Sequence, residues 1–268
     1  MITAAVITRN EEHNIADCLA SLVWADELLV LDSFSTDRTV AIALGYTDRV
    51  FQREFKSFPT QRNAALELAR GDWILFVDAD ERVPSELAAE IRDLLSEGRQ
   101  QRSTDRAGYW IPRRNIILGK WMRHTGWYPD YQLRLLRRGG AYYDESQEVH
   151  EVARLEGPAG YLKNPLIHYN YQRLGQFLAK QEFYATFAAR TMLGQNLRPR
   201  PHNFVLQPLR EFWRRYITLE GYRDGGHGLL LSLLLAYYNF VAYRRLAKMW
   251  RAQDRPRPEN EILSRQDL

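Results

Sequence analysis

The sequence predicts an α/β fold, a mostly parallel sheet covered by helices, followed by a helical C-terminal extension. Three observations predict it. Short apolar runs alternate with stretches of helical periodicity over the first hundred residues. Several of those apolar runs stop abruptly on polar or acidic residues. From Gln176 the pattern turns helical again, with Phe177, Phe183, Tyr184 and Phe187 supplying aromatic contacts along one helix.

Ala4–Thr8 reads as a buried strand. Asn14–Val23 then reads as a helix with Ile15, Leu19 and Leu22 on one face. Leu28–Leu31 is a second strand, ending at Asp32. Ser35-Thr36-Asp37 supplies N-cap residues for a helix over Thr39–Leu44. Arg49–Phe51 is a short third strand. Thr60–Ala69 is helical, with Gly71 as its C′ glycine. Trp73–Val77 is the clearest strand and stops at Asp78-Ala79-Asp80; Pro84–Leu95 is an amphipathic helix after it. The polar stretch Arg99–Arg106 reads as a loop. Beyond it Tyr109–Ile111 and Gln132–Leu136 look extended, and Pro199, Pro201 and Pro208 punctuate the C-terminal third. Residues 1–98 thus form one α/β half, 107–172 the other half of the same domain, and 173–268 the extension.

At 268 residues, 45% hydrophobic and 26% charged, the chain can bury a full core and is neither disordered nor collagen-like. A single cysteine, Cys18, excludes an internal disulfide and a cysteine-rich zinc site, and a reducing, cytoplasmic location fits. The first residues lack a basic segment and a cleavage site, so no signal peptide is expected. No run of eighteen apolar residues occurs, so no spanning helix is expected.

In open parallel sheets ligands bind beyond the carboxyl ends of the strands. Three strands end there in Thr8-Arg9-Asn10-Glu11-Glu12, in Asp32-Ser33 and in Asp78-Ala79-Asp80-Glu81. Alternate carboxylates at a strand end suit a hard cation such as Mg²⁺ or Mn²⁺ that shares substrate phosphates. Helix capping is the plainer reading of Asp78 and Asp80. It is weakened by the strong buried strand before them and by the polar strand ends beside them. Asp32, at a strand tip, can accept from an imide N–H such as that of uracil. Arg62, near a helix start, can pair with a diphosphate.

Ala5–Glu12, Leu31–Thr39, Gln61–Ala65 and Phe76–Glu81 occur in the order seen in family 2 glycosyltransferases, which the chain resembles. The resemblance implies a GT-A type, Rossmann-like fold, a nucleotide-sugar donor (UDP favoured) and a divalent metal. It places Thr8, Asn10, Glu11, Asp32, Arg62 and Asp78 on the donor and Asp80 on the metal. Gly126–Asp130, Arg134–Arg138, Val149-His150-Glu151 and Gly221–Gly228 resemble the subgroup of lipopolysaccharide-core β-1,4-glucosyltransferases. Phe34 stands where the family usually has a small residue, and Arg38 where glycine is common. An inverting transfer needs a carboxylate to take the acceptor's proton. Asp130 and Glu151 are the two candidates, with His150 turned toward the metal or diphosphate. His124 and His168 read as structural.

Leu229–Tyr243 is an apolar run that would reach roughly 22 Å as a helix, short of a bilayer's hydrocarbon core. Arg210, Arg214, Arg215 and Arg223 precede it, and Arg244, Arg245, Lys248 and Arg251 follow it. This pattern suits peripheral attachment to the inner leaflet on the cytoplasmic face of the inner membrane. A glycan or glycolipid acceptor fits such a location. A nucleotidyltransferase would favour a glycine-rich loop after the first strand, and Thr8–Glu12 has no glycine. A non-catalytic binder of membranes or nucleic acid would show a basic stripe without converging carboxylates. No nucleic-acid partner is expected.

Overall fold

The run Ile2–Thr8 forms β1, buried almost throughout, as a nearly polar-free strand must be when flanked on both sides. The computed structural model describes residues 1–100, 105–146 and 152–253. Parallel β2 (Glu27–Asp32) and β3 (Val50–Gln52) extend the sheet on one side of β1, and parallel β4 (Trp73–Asp78) lies on the other. The register pairs Thr8 with Asp32 and Ile7 with Asp78, so the three polar strand tips share one edge. That edge flanks β1, where the strand order switches direction, the usual ligand position in such sheets.

Beyond β4 the sheet becomes mixed. Two-residue β5 (Glu81–Arg82), β6 (Gly108–Ile117), β7 (Lys120–Trp121), β8 (Asp130–Arg137), β11 (Ala159–Tyr161) and β12 (Leu166–Tyr171) complete it. β9 (Ala141–Tyr142) and β10 (Arg154–Leu155) form a separate pair. β8 runs antiparallel to both β4 and β6, and β12 pairs antiparallel with β5, setting His168 opposite Glu81. Helices α1 (Ile15–Ala20), α2 (Thr39–Ala43), α3 (Phe58–Leu68) and α4 (Ser85–Gln100) connect the first strands. Two cores result, one holding Val6, Leu75, Val77 and Ile91, the other Leu31, Ile74, Phe76 and Leu136.

Several boundaries differ from expectation. α1 is shorter than Asn14–Val23 because the chain passes into turns after Ala20. α3 starts earlier, where the Ser57 side chain accepts from the Thr60 N–H. Gly71 is not a C′ residue, since the helix ends at Leu68 with Ala69 as its cap. Its role is close approach: a Cβ there would lie 2.6 Å from the Thr3 nitrogen on β1. α4 continues to Gln100, past the expected end at Leu95.

This sheet and its helices make one unit, Met1–Trp121 with Trp127–Asn170. The second unit takes Met122–Gly126 and the chain from Tyr171 onward. It is helical: α5 (Leu174–Gly194), α6 (Asn203–Trp213), a π turn (Arg214–Thr218), a 3₁₀ turn (Gly221–Asp224) and α7 (Gly225–Gln253). Buried Asp224 anchors the inserted segment, accepting from the N–H groups of Arg123 (3.2 Å) and His124 (2.9 Å) and from the Thr125 hydroxyl (3.3 Å). α7 is 29 residues long and far exceeds the run Leu229–Tyr243, because Gly225–Gly228 and the polar residues after Tyr243 continue it. With the preceding 3₁₀ turn it is long and apolar enough to cross a membrane by length and composition.

Candidate active site

At the strand tips, two loops are sewn together by side chain to backbone hydrogen bonds. The Asn10 N–H donates to Ser35 Oγ (2.8 Å), and Thr36 N–H donates to Asn10 Oδ1 (2.8 Å). Glu11 N–H donates to Thr39 Oγ1 (2.8 Å), while the Glu11 side chain accepts from Asn14 (2.7 Å). Phe34, exposed, takes a positive φ of 54°, a conformation that favours small residues. The Thr8 hydroxyl is buried without a hydrogen-bond partner among the described residues. An orphaned hydroxyl of this kind is costly unless a ligand completes it.

Asp32 is fully buried and accepts from Ser35 N–H (2.9 Å), from the Ser35 hydroxyl and from Gln52 Nε2 (3.1 Å). It therefore orders the loop that follows it, with the short Ser35 reaching back to the strand tip three residues earlier.

From Asp78 a chain of alternating charge runs into the mixed half of the sheet. Asp78 accepts two bonds from the Arg134 guanidinium and lies 3.5 Å from Arg62 Nη2. Burial alone would raise the Asp78 pKa, but Arg134 and Arg62 outweigh it and hold the carboxyl well below its usual range. Arg134 is buried and lies 3.4 Å from Glu81, itself fully buried. Arg113 bridges Glu81 (3.4 Å) and Asp130 (2.6 Å). Asp130 also accepts from Asn115 (3.1 Å) and Gln132 (3.0 Å). Burial opposes ionisation here too, yet Arg113 and the amide donors lower its pKa.

The chain of contacts then turns back. Asn115 Nδ2 donates to Asp130 and to the Trp127 carbonyl (2.9 Å), which leaves Asn115 Oδ1 as an acceptor, 2.7 Å from His168 Nδ1. Nδ1 must carry the proton of that bond. In neutral His168 the lone pair is then on Nε2, which lies 3.3 Å from Asp80 Oδ2. Two electron pairs facing each other call for a proton on the ring or a cation between them. A nitrogen–carboxylate pair suits Mn²⁺ or Mg²⁺, and such ions commonly take one or two protein ligands plus substrate phosphates. Among the described residues no group of three or more His, Cys, Asp or Glu side chains is placed to hold a metal ion.

Of the residues singled out from sequence, Thr8, Asn10, Glu11, Asp32, Asp78 and Asp80 share the carboxyl edge of the sheet, and Arg62 reaches Asp78. Asp130 joins them through Arg113 and Glu81. His150 and Glu151 lie outside the described residues. His168, read from sequence as structural, lies 3.3 Å from Asp80; Arg113 and Asn115 were not singled out, and Arg134 was noted only as part of the Arg134–Arg138 motif. The nearest signal for Arg134 was the Arg-rich strand that follows Asp130. His124 is paired with Asp224 at 3.2 Å.

Residues 3–148 match the family model described as Glycosyl transferase family 2. The lipopolysaccharide core biosynthesis glycosyltransferase LpsC of Rhizobium meliloti is 28% identical over 97% of each chain. An uncharacterized glycosyltransferase of Rickettsia bellii is 26% identical over 92% of this chain and 85% of its own length. Among solved structures, S. aureus TarS 1–349 aligns with 96% of this chain and 93% of its own at 19% identity, with a TM-score of 0.46.

Proposed function

The chain belongs to glycosyl transferase family 2, and from that premise we propose that it is an inverting, metal-dependent hexosyltransferase. It takes a glucose-like sugar from a UDP-sugar and delivers it to a saccharide or lipid-linked acceptor of the cell envelope. The observation that carries this reading is the Asp80–His168 pair at the carboxyl edge of the sheet, on the same contact chain as Asp130. The full-length similarity to a lipopolysaccharide-core enzyme supports the acceptor class. On this reading the protein works as a peripheral enzyme at the cytoplasmic face of the inner membrane.

Asp80 and His168 would hold the cation, with His150 as a further candidate, and the cation would neutralise charge on the leaving diphosphate. Thr8 offers its unpaired hydroxyl to the donor, while Asn10, Glu11 and Asp32 shape the loop that receives the nucleoside. Arg62, half shared with Asp78, supplies positive charge on the diphosphate side. The acceptor hydroxyl oxygen forms the new bond to the anomeric carbon as the bond to the diphosphate oxygen breaks. Its proton passes to a carboxylate, Asp130 or Glu151. The four bonds that Asp130 accepts from Arg113, Asn115 and Gln132 lower its proton affinity, which favours Glu151.

A donor-hydrolysis screen over nucleotide sugars, with and without Mn²⁺ or Mg²⁺, tests the reading. UDP-sugar turnover that needs the cation and disappears in Asp80→Ala is expected. Near-wild-type, metal-dependent turnover in that variant sinks the site. Glu151→Gln and Asp130→Asn then separate the two bases: the true base loses transfer but keeps donor affinity.

A further inference from the structure

The second unit carries an exposed apolar surface that its own fold does not cover. On α6, Val205, Leu206, Leu209 and Trp213 are 56–62% exposed, and no residue of that helix is buried. At 100° per residue these four fall within one arc of about 100°, the width of a buried helical face. Arg210 lies about 40° beyond that arc and Arg214, paired with Glu211, about 80° beyond it. Clustered large apolar groups at this exposure mark a contact surface rather than scattered surface residues.

The charge of the same unit says what the contact is. Met122–Gly126 and Tyr171–Gln253 hold fourteen basic and four acidic side chains, a net of +10, whereas the whole chain carries +4. Beside Phe204, at the start of α6, Arg244, Lys248 and Arg251 line a groove of about 590 Å³ on α7. Their spacing puts them on one face of that helix. Arg245 is paired with Glu182, but among the described residues no ion pair holds Arg244, Lys248 or Arg251.

We propose that α6 is an interfacial helix that seats this protein on an anionic bilayer, its apolar arc entering the acyl boundary and the α7 groove taking phosphate headgroups. The proposal rests on the membrane location given above and names the surface responsible. An apolar arc flanked by a basic residue, here Arg210, on a unit with surplus positive charge is what such helices require. α7 serves as the scaffold rather than as a spanning segment, because Leu231, Ser232, Ala236, Val241, Ala242 and Leu246 are buried within the unit.

The test is co-sedimentation of the full chain with vesicles of phosphatidylcholine alone and of an equal mixture with phosphatidylglycerol. The intact protein is expected to prefer the anionic vesicles, and high salt to release it only partly. Leu206→Gln with Leu209→Gln should lower partitioning by about tenfold or more per leucine, the scale of burying each side chain. Arg244→Gln, Lys248→Gln and Arg251→Gln together should erase the anionic preference, at roughly fivefold per charge. Donor hydrolysis and far-UV circular dichroism should match the wild type in both variants. If wild-type hydrolysis fails while vesicle binding follows this pattern, the enzymatic reading falls and the lipid surface stands. Undiminished binding by both variants overturns the proposal. So does resistance to alkaline carbonate extraction, which indicates a spanning helix. A dimer that the leucine variant dissociates, with no vesicle binding, assigns the arc to a second copy and also overturns it.

Discussion

Asn115 shows how one amide can set the state of two other groups. Its Nδ2 is committed to Asp130 and Trp127, so its Oδ1 fixes the proton of His168 on Nδ1 and aims Nε2 at Asp80. Asn115→Leu should therefore lower Mn²⁺ affinity about 10- to 100-fold, the usual cost of losing a group that orients a ligand. Mn²⁺ electron paramagnetic resonance on the full chain measures it, and unchanged affinity would mean that His168 is not a ligand. Arg134→Met should cost about 3–5 kcal/mol in urea unfolding, because Asp78 and Glu81 lose their buried counter-charge. Asp78 and Asp80 were legible in the sequence because a strong apolar run ends on them. His168 was not: its partners stand 53 and 88 positions away, and only the pairing of β12 with β5 brings it to the site.

At the level of elements, the parallel half was readable from alternation, since each strand there is a short apolar run closed by polar residues. Close packing was not readable. Gly71 follows a helix and looks like a cap, yet the sequence holds no sign that β1 passes against it. Gly228 is a second case: a Cβ there would lie 1.9 Å from the Gly221 carbonyl oxygen. Gly228→Ala must push α7 off the 3₁₀ turn, and a lower unfolding temperature with intact donor hydrolysis is expected, since no catalytic candidate lies in that unit. The joint after α6 carries its own pH dependence. Burial would raise the Glu211 pKa, but hydrogen bonds from Arg214 and Arg215 outweigh it and lower it. The stabilisation is then complete above the ordinary glutamate value of about 4.3 and is lost as pH falls through the depressed one. Glu211→Gln should remove this part of the acid sensitivity, as followed by circular dichroism between neutral and acidic pH.

Over the whole molecule, the reading proposed above divides chemistry and attachment between the two units. Every described candidate for donor, cation or base lies in the sheet unit, and the surplus positive charge and exposed apolar arc lie in the helical one. Ala185, Val241 and Ala242 of the helical unit form a buried cluster of their own. A ligand that binds only folded protein stabilises the part that holds its site, by about 2.7 kcal/mol at a hundred times Kd. UDP with Mn²⁺ should therefore raise the melting transition of the sheet unit by roughly 5–10 °C, at the ~2–4 °C per kcal/mol typical of this size. The helical unit's transition should stay in place. Calorimetry with and without UDP and Mn²⁺ reads both. A single transition that shifts as one would show that the two units unfold as one cooperative body. In that case membrane seating of the helical unit would stabilise the catalytic sheet as well, and vesicles alone should raise the same transition.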